Sequence, residues 1–147
     1  MEDTSSLAFI HEIEFAFCDT DLMKIVHHAA YFRYFENARL ALLREGFADY
    51  MDIEKEYGLQ VPVIGTQVKY LKSSYFGEKY KIEVYSKTNG KASFSIFYRL
   101  YQGEQTNCLA RTDHVFTDFN QKIKRLPGPI FNLSETQNEP EWIRGLL

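Results

Sequence analysis

The sequence is poor in cysteine, tryptophan and proline, and the scarcity of cysteine narrows the possible classes of protein most. Its 147 residues include two cysteines, one tryptophan and four prolines. Cys18 and Cys108 lie far apart, and this spacing matches neither a disulfide framework nor a zinc signature. Residues 1–6 are acidic and polar and lack the apolar region of a signal peptide. We therefore expect a frayed start over residues 1–7 and a cytoplasmic protein.

Two further features are missing, an excess of positive charge and a long apolar run. The net charge is -3, so the chain offers no global basic field to attract nucleic acid. No apolar segment is long enough to form a transmembrane span. The chain does have 45% hydrophobic residues, including 12 Phe and 10 Tyr. This composition predicts one domain over residues 1–147 with an aromatic, β-rich core.

The order of periodic segments predicts an α+β fold. A strand over 9–17 precedes a long apolar helix over 29–45, and a shorter helix ends at Gly58. Alternating apolar residues then predict four further strands, at 61–71, 80–88, 91–102 and 106–120. Asn89-Gly90 predicts a hairpin turn in which both residues have positive φ. We expect a five-stranded antiparallel sheet covered by one long helix, a core over about 9–127, and an irregular tail over 128–147.

Apolar side chains also fall on the face of the sheet opposite the helix. These are Phe97, Tyr101, Val115 and Phe119. That face and the edges of the sheet could pair with a second copy of the chain. His11 and His114 fall on core-facing positions, and we interpret both as structural.

Residues 17–31 form the hinge between the first strand and the long helix, and they carry most of the reactive side chains. The hinge contains Cys18, Asp19, Asp21, His27 and His28 in a short run. No Ser, Thr, Asp or Asn stands just before Ala29 to cap the helix, so water caps its N–H groups or they are kept for a ligand. The acids and histidines fit no common metal-ligand spacing. Cys18 is predicted to be a small core residue, and Asp19 a loop acid that supports the hinge.

The hinge resembles a known family through three runs of residues. These are Asp19-Thr20-Asp21, Ile25-Val26-His27-His28, and the helical run YFRYFENAR over 31–39. They resemble the hotdog-fold acyl-CoA thioesterases, and most closely the 4-hydroxybenzoyl-CoA thioesterase family with its Tol–Pal-associated members. The likeness continues through segments at 70–73, 77–78, 93–94 and 125–127, and so covers about residues 9–127.

The resemblance implies a hotdog fold, in which a sheet wraps around a central helix, with active sites at the interface of a homodimer or homotetramer. It implies hydrolysis of an acyl-CoA substrate without a metal or cofactor. The catalytic carboxylate of the family falls on Asp21, and the histidine of the Tol–Pal type falls on His28. His28, Ala29 and Tyr31 are the predicted oxyanion and substrate-binding residues, and Lys91 falls on a position that contacts CoA.

Two residues depart from the family pattern, and several functions remain open. Lys24 replaces a glycine, so either the turn avoids positive φ or Lys24 takes a costly conformation. Ala30 replaces an Asn or Ser before the helix, which removes a possible hydrogen bond. Asp21 could attack the thioester directly or activate water. The alternatives are a non-catalytic module that binds acyl thioesters, a hydrolase of acyl carrier protein thioesters, and a hydratase or dehydratase.

Overall fold

A computed structural model describes residues 9–135 and 138–146, so the predicted frayed start over 1–7 lies outside the described residues. The strands are β1 Phe9–Glu14, β2 Val63–Tyr70, β3 Lys79–Asn89, β4 Ser93–Gln102, β5 Gln105–Thr117 and β6 Ile123–Lys124. The helices are α1 Tyr31–Gly46, α2 Tyr50–Tyr57 and α3 Gly128–Glu135. Three 3₁₀ turns lie at Phe17–Asp19, His28–Ala30 and Glu141–Leu146.

The strands form one antiparallel sheet with α1 packed against it, which confirms the predicted α+β class. The order in the sheet is β1-β3-β4-β5-β2, and the short β6, which the sequence analysis did not predict, pairs with β5. The hairpin between β3 and β4 is present, but its turn differs from the prediction. Asn89 still pairs with Ser93, and Gly90 supplies the positive φ of 81°.

The core lies between α1 and the sheet. Phe35, Ala38 and Leu42 recur at helical spacing and are at most 3% exposed, and they pack in one cluster with buried strand residues such as Ile82. Burying one large apolar side chain contributes about 1.5–3 kcal/mol, so this face fixes the helix firmly on the sheet. The start of α1 is therefore held rigidly beside the hinge.

Cys18, which was predicted to be a core residue, is exposed, and so is Phe17 at the predicted end of the first strand. β1 ends at Glu14, three residues before the predicted end. The following 3₁₀ turn breaks the alternation of inward and outward side chains, because a strand alternates with period two and this turn does not. Phe17 is consequently 65% exposed, and Cys18 is exposed as well.

The tail contains regular structure, which corrects the prediction that residues 128–147 are irregular. α3 buries Ile130 in the main core, and the last 3₁₀ turn buries Ile143 and Leu146. Those two side chains pack on Tyr85 and Phe97, on the face of the sheet opposite α1. The segment is rich in polar residues, so it contains no periodic apolar pattern from which these contacts could be predicted. The chain's own tail therefore covers part of the face that the sequence predicted could pair with a second copy.

None of the helices among the described residues combines the length and the hydrophobicity needed to cross a membrane.

Candidate active site

Asp19 fastens the hinge to helix α1. Its side chain is buried, and its carboxylate forms an ion pair with Arg33. The hydroxyl of Tyr34 donates to Asp19 Oδ2 at 2.5 Å and accepts the N–H of Ala16 at 2.8 Å. The backbone carbonyl of Asp19 accepts the N–H of His27 at 2.8 Å. Asp19 is therefore a supporting acid, as the sequence predicted.

Asp21 organises the next turn with only one of its two carboxylate oxygens. Oδ1 accepts the N–H of Met23 at 2.8 Å and the N–H of Ile25 at 3.3 Å. Oδ2 accepts no hydrogen bond from any residue in the described ranges. Lys24 has a φ of 63°, so it takes the costly conformation that was one of the two alternatives. The side chain of Asp21 is exposed, anchored at one oxygen and available at the other.

The 3₁₀ turn His28–Ala30 leads into α1 and forms the start of the helical segment, and the side chain of His27 caps this turn. Ala30, at the start of α1 itself, makes no side-chain cap hydrogen bond. His27 Nδ1 accepts the N–H of Ala29 at 3.3 Å, which is long for such a bond. The N–H of Ala30 donates to the carbonyl of His27 at 2.9 Å. For the N–H of His28, no acceptor occurs within 9–135 or 138–146. One donor at the helix start is thus unpaired, and a second is held weakly.

A cleft of about 270 Å³ opens beside this helix start. Its lining includes His28 and Tyr31, two of the predicted binding residues, together with Tyr70 and Lys72. Tyr70 donates its hydroxyl to the carbonyl oxygen of His28 at 2.7 Å, and its ring lies 5.2 Å from the ring of Tyr31. Burial raises the pKa of both tyrosines, so their hydroxyls stay protonated and can donate. Sequence reasoning missed Tyr70, because only the fold brings residues 28 and 70 together.

Asp21 lies in a neighbouring cleft. That cleft has a volume of about 430 Å³ and is lined by Phe17, Thr20, Asp21, Leu22 and Lys24. Residues 24–26 run between the two clefts, with Lys24 in one lining and Ile25 and Val26 in the other. Of these two cavities, one is therefore lined by Asp21 and the other by His28.

The remaining candidates lie away from both clefts. Lys91 is exposed in the turn between β3 and β4, and its carbonyl accepts the N–H of Leu126 at 2.9 Å. His114 is fully buried, as expected, whereas His11 is only half-buried. Burial raises the pKa of the Cys108 thiol to about 12, which disfavours a nucleophilic thiolate there.

Metal-ligating side chains are dispersed rather than grouped. Within the described ranges, no three His, Cys, Asp or Glu side chains come together in an arrangement that could hold a metal ion.

Comparison with known proteins places the chain in a family. Residues 15–144 match the model of the Thioesterase-like superfamily. The chain belongs to this superfamily. It is 30% identical over 109 residues to a provisionally named acyl-CoA thioesterase, YneP, of Bacillus subtilis, with 73% of this chain and 78% of that protein covered. It is 26% identical over 114 residues to the 1,4-dihydroxy-2-naphthoyl-CoA hydrolase of Thermosynechococcus vestitus, with 77% of each covered.

Solved structures of other proteins share the fold. A 1,4-dihydroxy-2-naphthoyl-CoA thioesterase from Synechocystis superposes with a TM-score of 0.80 at 18% identity, covering 90% of this chain and 99% of that one. A DHNA-CoA thioesterase from Staphylococcus aureus superposes with a TM-score of 0.76 at 25% identity, covering 93% and 91%. The predicted hotdog fold is confirmed by these likenesses. The superfamily match and the two named relatives support thioester hydrolysis as the general activity.

Proposed function

We propose that the protein hydrolyses acyl-CoA thioesters, with Asp21 as the catalytic carboxylate and the start of helix α1 as the oxyanion site. The observation that carries the proposal is the state of Asp21. One oxygen is tied into the turn and the other accepts no hydrogen bond from the described residues. A short segment, residues 24–26, separates it from a helix start with an unpaired N–H group.

The geometry supports this assignment for both requirements of thioester hydrolysis. The reaction needs a nucleophile, or a base that activates water, and donors aimed at the oxygen that becomes negative. Asp21 Oδ2 meets the first requirement by either route. The N–H of His28 meets the second, and the N–H of Ala29 joins it once the substrate oxygen displaces His27 Nδ1. The positive end of the helix dipole strengthens both donors, and the buried Tyr31 forms a wall of the cleft.

CoA as the carrier of the acyl group is proposed from the relatives. The names of the Bacillus subtilis and Thermosynechococcus vestitus proteins both specify CoA thioesters. Lys91 is our candidate contact for the CoA nucleotide, because its side chain is charged and exposed. Lys91 lines neither of the two clefts at the hinge, so this proposed contact is independent of the roles proposed for Asp21 and His28.

We propose a homodimer or homotetramer in which the β2 edges pair. β2 lies at one end of the sheet, and all eight of its residues are exposed or half-exposed. Val63 and Ile64 are 45% and 60% exposed, and Lys69 is the one charged residue of the strand. Edge strands of monomeric proteins are normally protected by charges or proline. This edge carries a single charge and two exposed aliphatic residues, so it is weakly protected and is suited to an antiparallel partner strand from a second copy.

The test is a thiol-release assay across short, long and aromatic acyl-CoAs. On the best substrate, Asp21→Asn should lower kcat by roughly 10² to 10⁴, the usual contribution of a general base. Asp52→Asn, at an exposed acid in α2, is the matched control and should leave kcat unchanged. Near-full activity of Asp21→Asn would remove Asp21 from the mechanism.

A single-turnover reaction in ¹⁸O-labelled water separates the two roles of Asp21. Direct attack of the carboxylate breaks the C–S bond, releases the CoA thiol and forms an anhydride between the acyl group and Asp21. Water that opens the anhydride at the Asp21 carbonyl places the label in this side chain, whereas water activation places it in the acid product. Label in the Asp21 peptide, detected by mass spectrometry, therefore identifies direct attack; an unlabelled peptide is the result of water activation or of an anhydride opened at the acyl carbonyl.

The separation of the two clefts favours one second candidate, a module that binds acyl thioesters without cleaving them. Tight binding of an acyl-CoA without thiol release would select this function. Assaying the same acyl group on CoA and on acyl carrier protein tests the remaining choice of carrier.

A further inference from the structure

Tyr70 joins the edge strand β2 to the turn that leads into helix α1. It is the last residue of β2, and its hydroxyl donates to the carbonyl oxygen of His28 across 42 positions of sequence, at 2.7 Å. This is the usual length of a hydrogen bond between an O–H and a carbonyl, so the contact is well formed.

The ring of Tyr70 is oriented by its neighbours although it is partly open to solvent. It packs edge-to-face on Tyr31, with the ring centroids 5.2 Å apart and the planes at 71°. Tyr31 is 3% exposed, so one face of the contact belongs to the core, while Tyr70 itself is 45% exposed. The contact with Tyr31 therefore orients the Tyr70 hydroxyl toward the helix start, although Tyr70 itself is not a core residue.

The carbonyl that Tyr70 holds belongs to the same peptide unit as the N–H of Ala29. A peptide unit is planar, so fixing its oxygen also fixes the direction of its N–H on the opposite side. A hydrogen bond to the carbonyl also polarises the unit and makes that N–H a better donor. The partner of the N–H, His27 Nδ1, lies at a long 3.3 Å and is readily replaced.

We propose that Tyr70 is a positioning residue that orients the His28–Ala29 peptide as an oxyanion donor. The inference rests on the proposed function and extends it to a residue outside the hinge. Tyr70 acts through the peptide and does not need to touch the reacting atoms. Because the donor binds the charge that develops in the transition state more strongly than the carbonyl of the bound substrate, its loss should lower kcat more than it changes KM.

The test compares Tyr70→Phe with Tyr57→Phe on the best acyl-CoA. Tyr57 is 48% exposed on α2, and its hydroxyl makes no hydrogen bond to the described residues, so its variant controls for loss of a surface hydroxyl. Removing an oxyanion donor outright costs about 10² to 10³ in kcat, and misdirecting one should cost part of that. We expect kcat of Tyr70→Phe to fall about tenfold at nearly constant KM, with Tyr57→Phe unchanged.

The amide resonance of Ala29 provides a second measurement that does not depend on activity. In ¹⁵N-labelled protein, Tyr70→Phe should shift this resonance clearly, whereas Tyr57→Phe should leave it in place. If the wild type is active and Tyr70→Phe has the same kcat, or if the Ala29 resonance does not move, the positioning role of Tyr70 is wrong and the proposed function still stands. A wild type that cleaves no acyl-CoA while the Ala29 resonance still moves would instead overturn the proposed function.

Discussion

His114 should make the stability of the protein strongly dependent on pH in the acid range. The side chain is fully buried, and Nε2 lies 2.7 Å from Thr112 Oγ1. Nδ1 has no hydrogen-bond partner among the described residues. Burial, assisted by the positive charge of Arg39, lowers the pKa of His114 from 6.5 to about 3. The folded protein therefore keeps this imidazole neutral where the unfolded chain would protonate it.

The sign and size of the effect follow from this difference in pKa. Well above pH 6.5 the imidazole is neutral in both the folded and the unfolded state, so His114 contributes no pH dependence to the free energy of unfolding. As the pH falls below 6.5 the unfolded state binds a proton that the folded state excludes, so stability is lost until the folded pKa of about 3 is passed. The slope is about 1.4 kcal/mol per pH unit, or about 2 kcal/mol between pH 6.5 and pH 5.

Urea unfolding at several pH values between 7 and 4.5 measures this slope. His114→Gln keeps a group that can hydrogen-bond Thr112 but does not titrate. The variant will have its own stability at pH 7, and the comparison concerns only the dependence on pH. Carboxylates contribute equally to both proteins, so the difference between the two slopes isolates His114. Parallel curves for wild type and variant over this range would refute the argument.

Four other changes test separate parts of the structure. Lys24→Gly should raise the free energy of unfolding by about 0.5–1 kcal/mol, because glycine tolerates the φ of 63°; a loss of stability in urea would contradict this. Asp19→Asn should cost about 2 kcal/mol, the worth of a hydrogen bond to a charged group, in the same assay. Ile143→Ala should cost about 2–4 kcal/mol by calorimetry if the tail is packed as described. The double substitution of Ile64 and Thr66 to Lys should halve the mass measured by light scattering, because it places like charges along the β2 edge that we propose to pair with a second copy.

The sequence was sufficient to predict the elements that depend on local periodicity. Helix α1, the four long strands after it and the stop at Gly58 follow from apolar spacing and from glycine, and the structure confirms them. Gly58 caps α2 with a φ of 63°, a conformation that glycine adopts without strain.

Contacts between distant residues could not be predicted in the same way. The polar tail conceals Ile143 and Leu146, which become core residues only because Tyr85 and Phe97 are present on the sheet to receive them. The bond from Tyr70 to His28 and the cap formed by His27 likewise depend on the placement of β2 and of the turn, which no local pattern encodes.

The two acids of the hinge illustrate how burial divides roles between similar residues. Asp19 is 7% exposed, and its oxygens are occupied by Arg33 and Tyr34, so it has no oxygen left for chemistry. Asp21 is exposed and bonded at a single oxygen. A buried, fully paired carboxylate holds a hinge in place, whereas an exposed carboxylate fixed at one oxygen can react at the other. We therefore propose different roles for these two aspartates, and the substitution Asp21→Asn should impair turnover while Asp19→Asn should impair stability first.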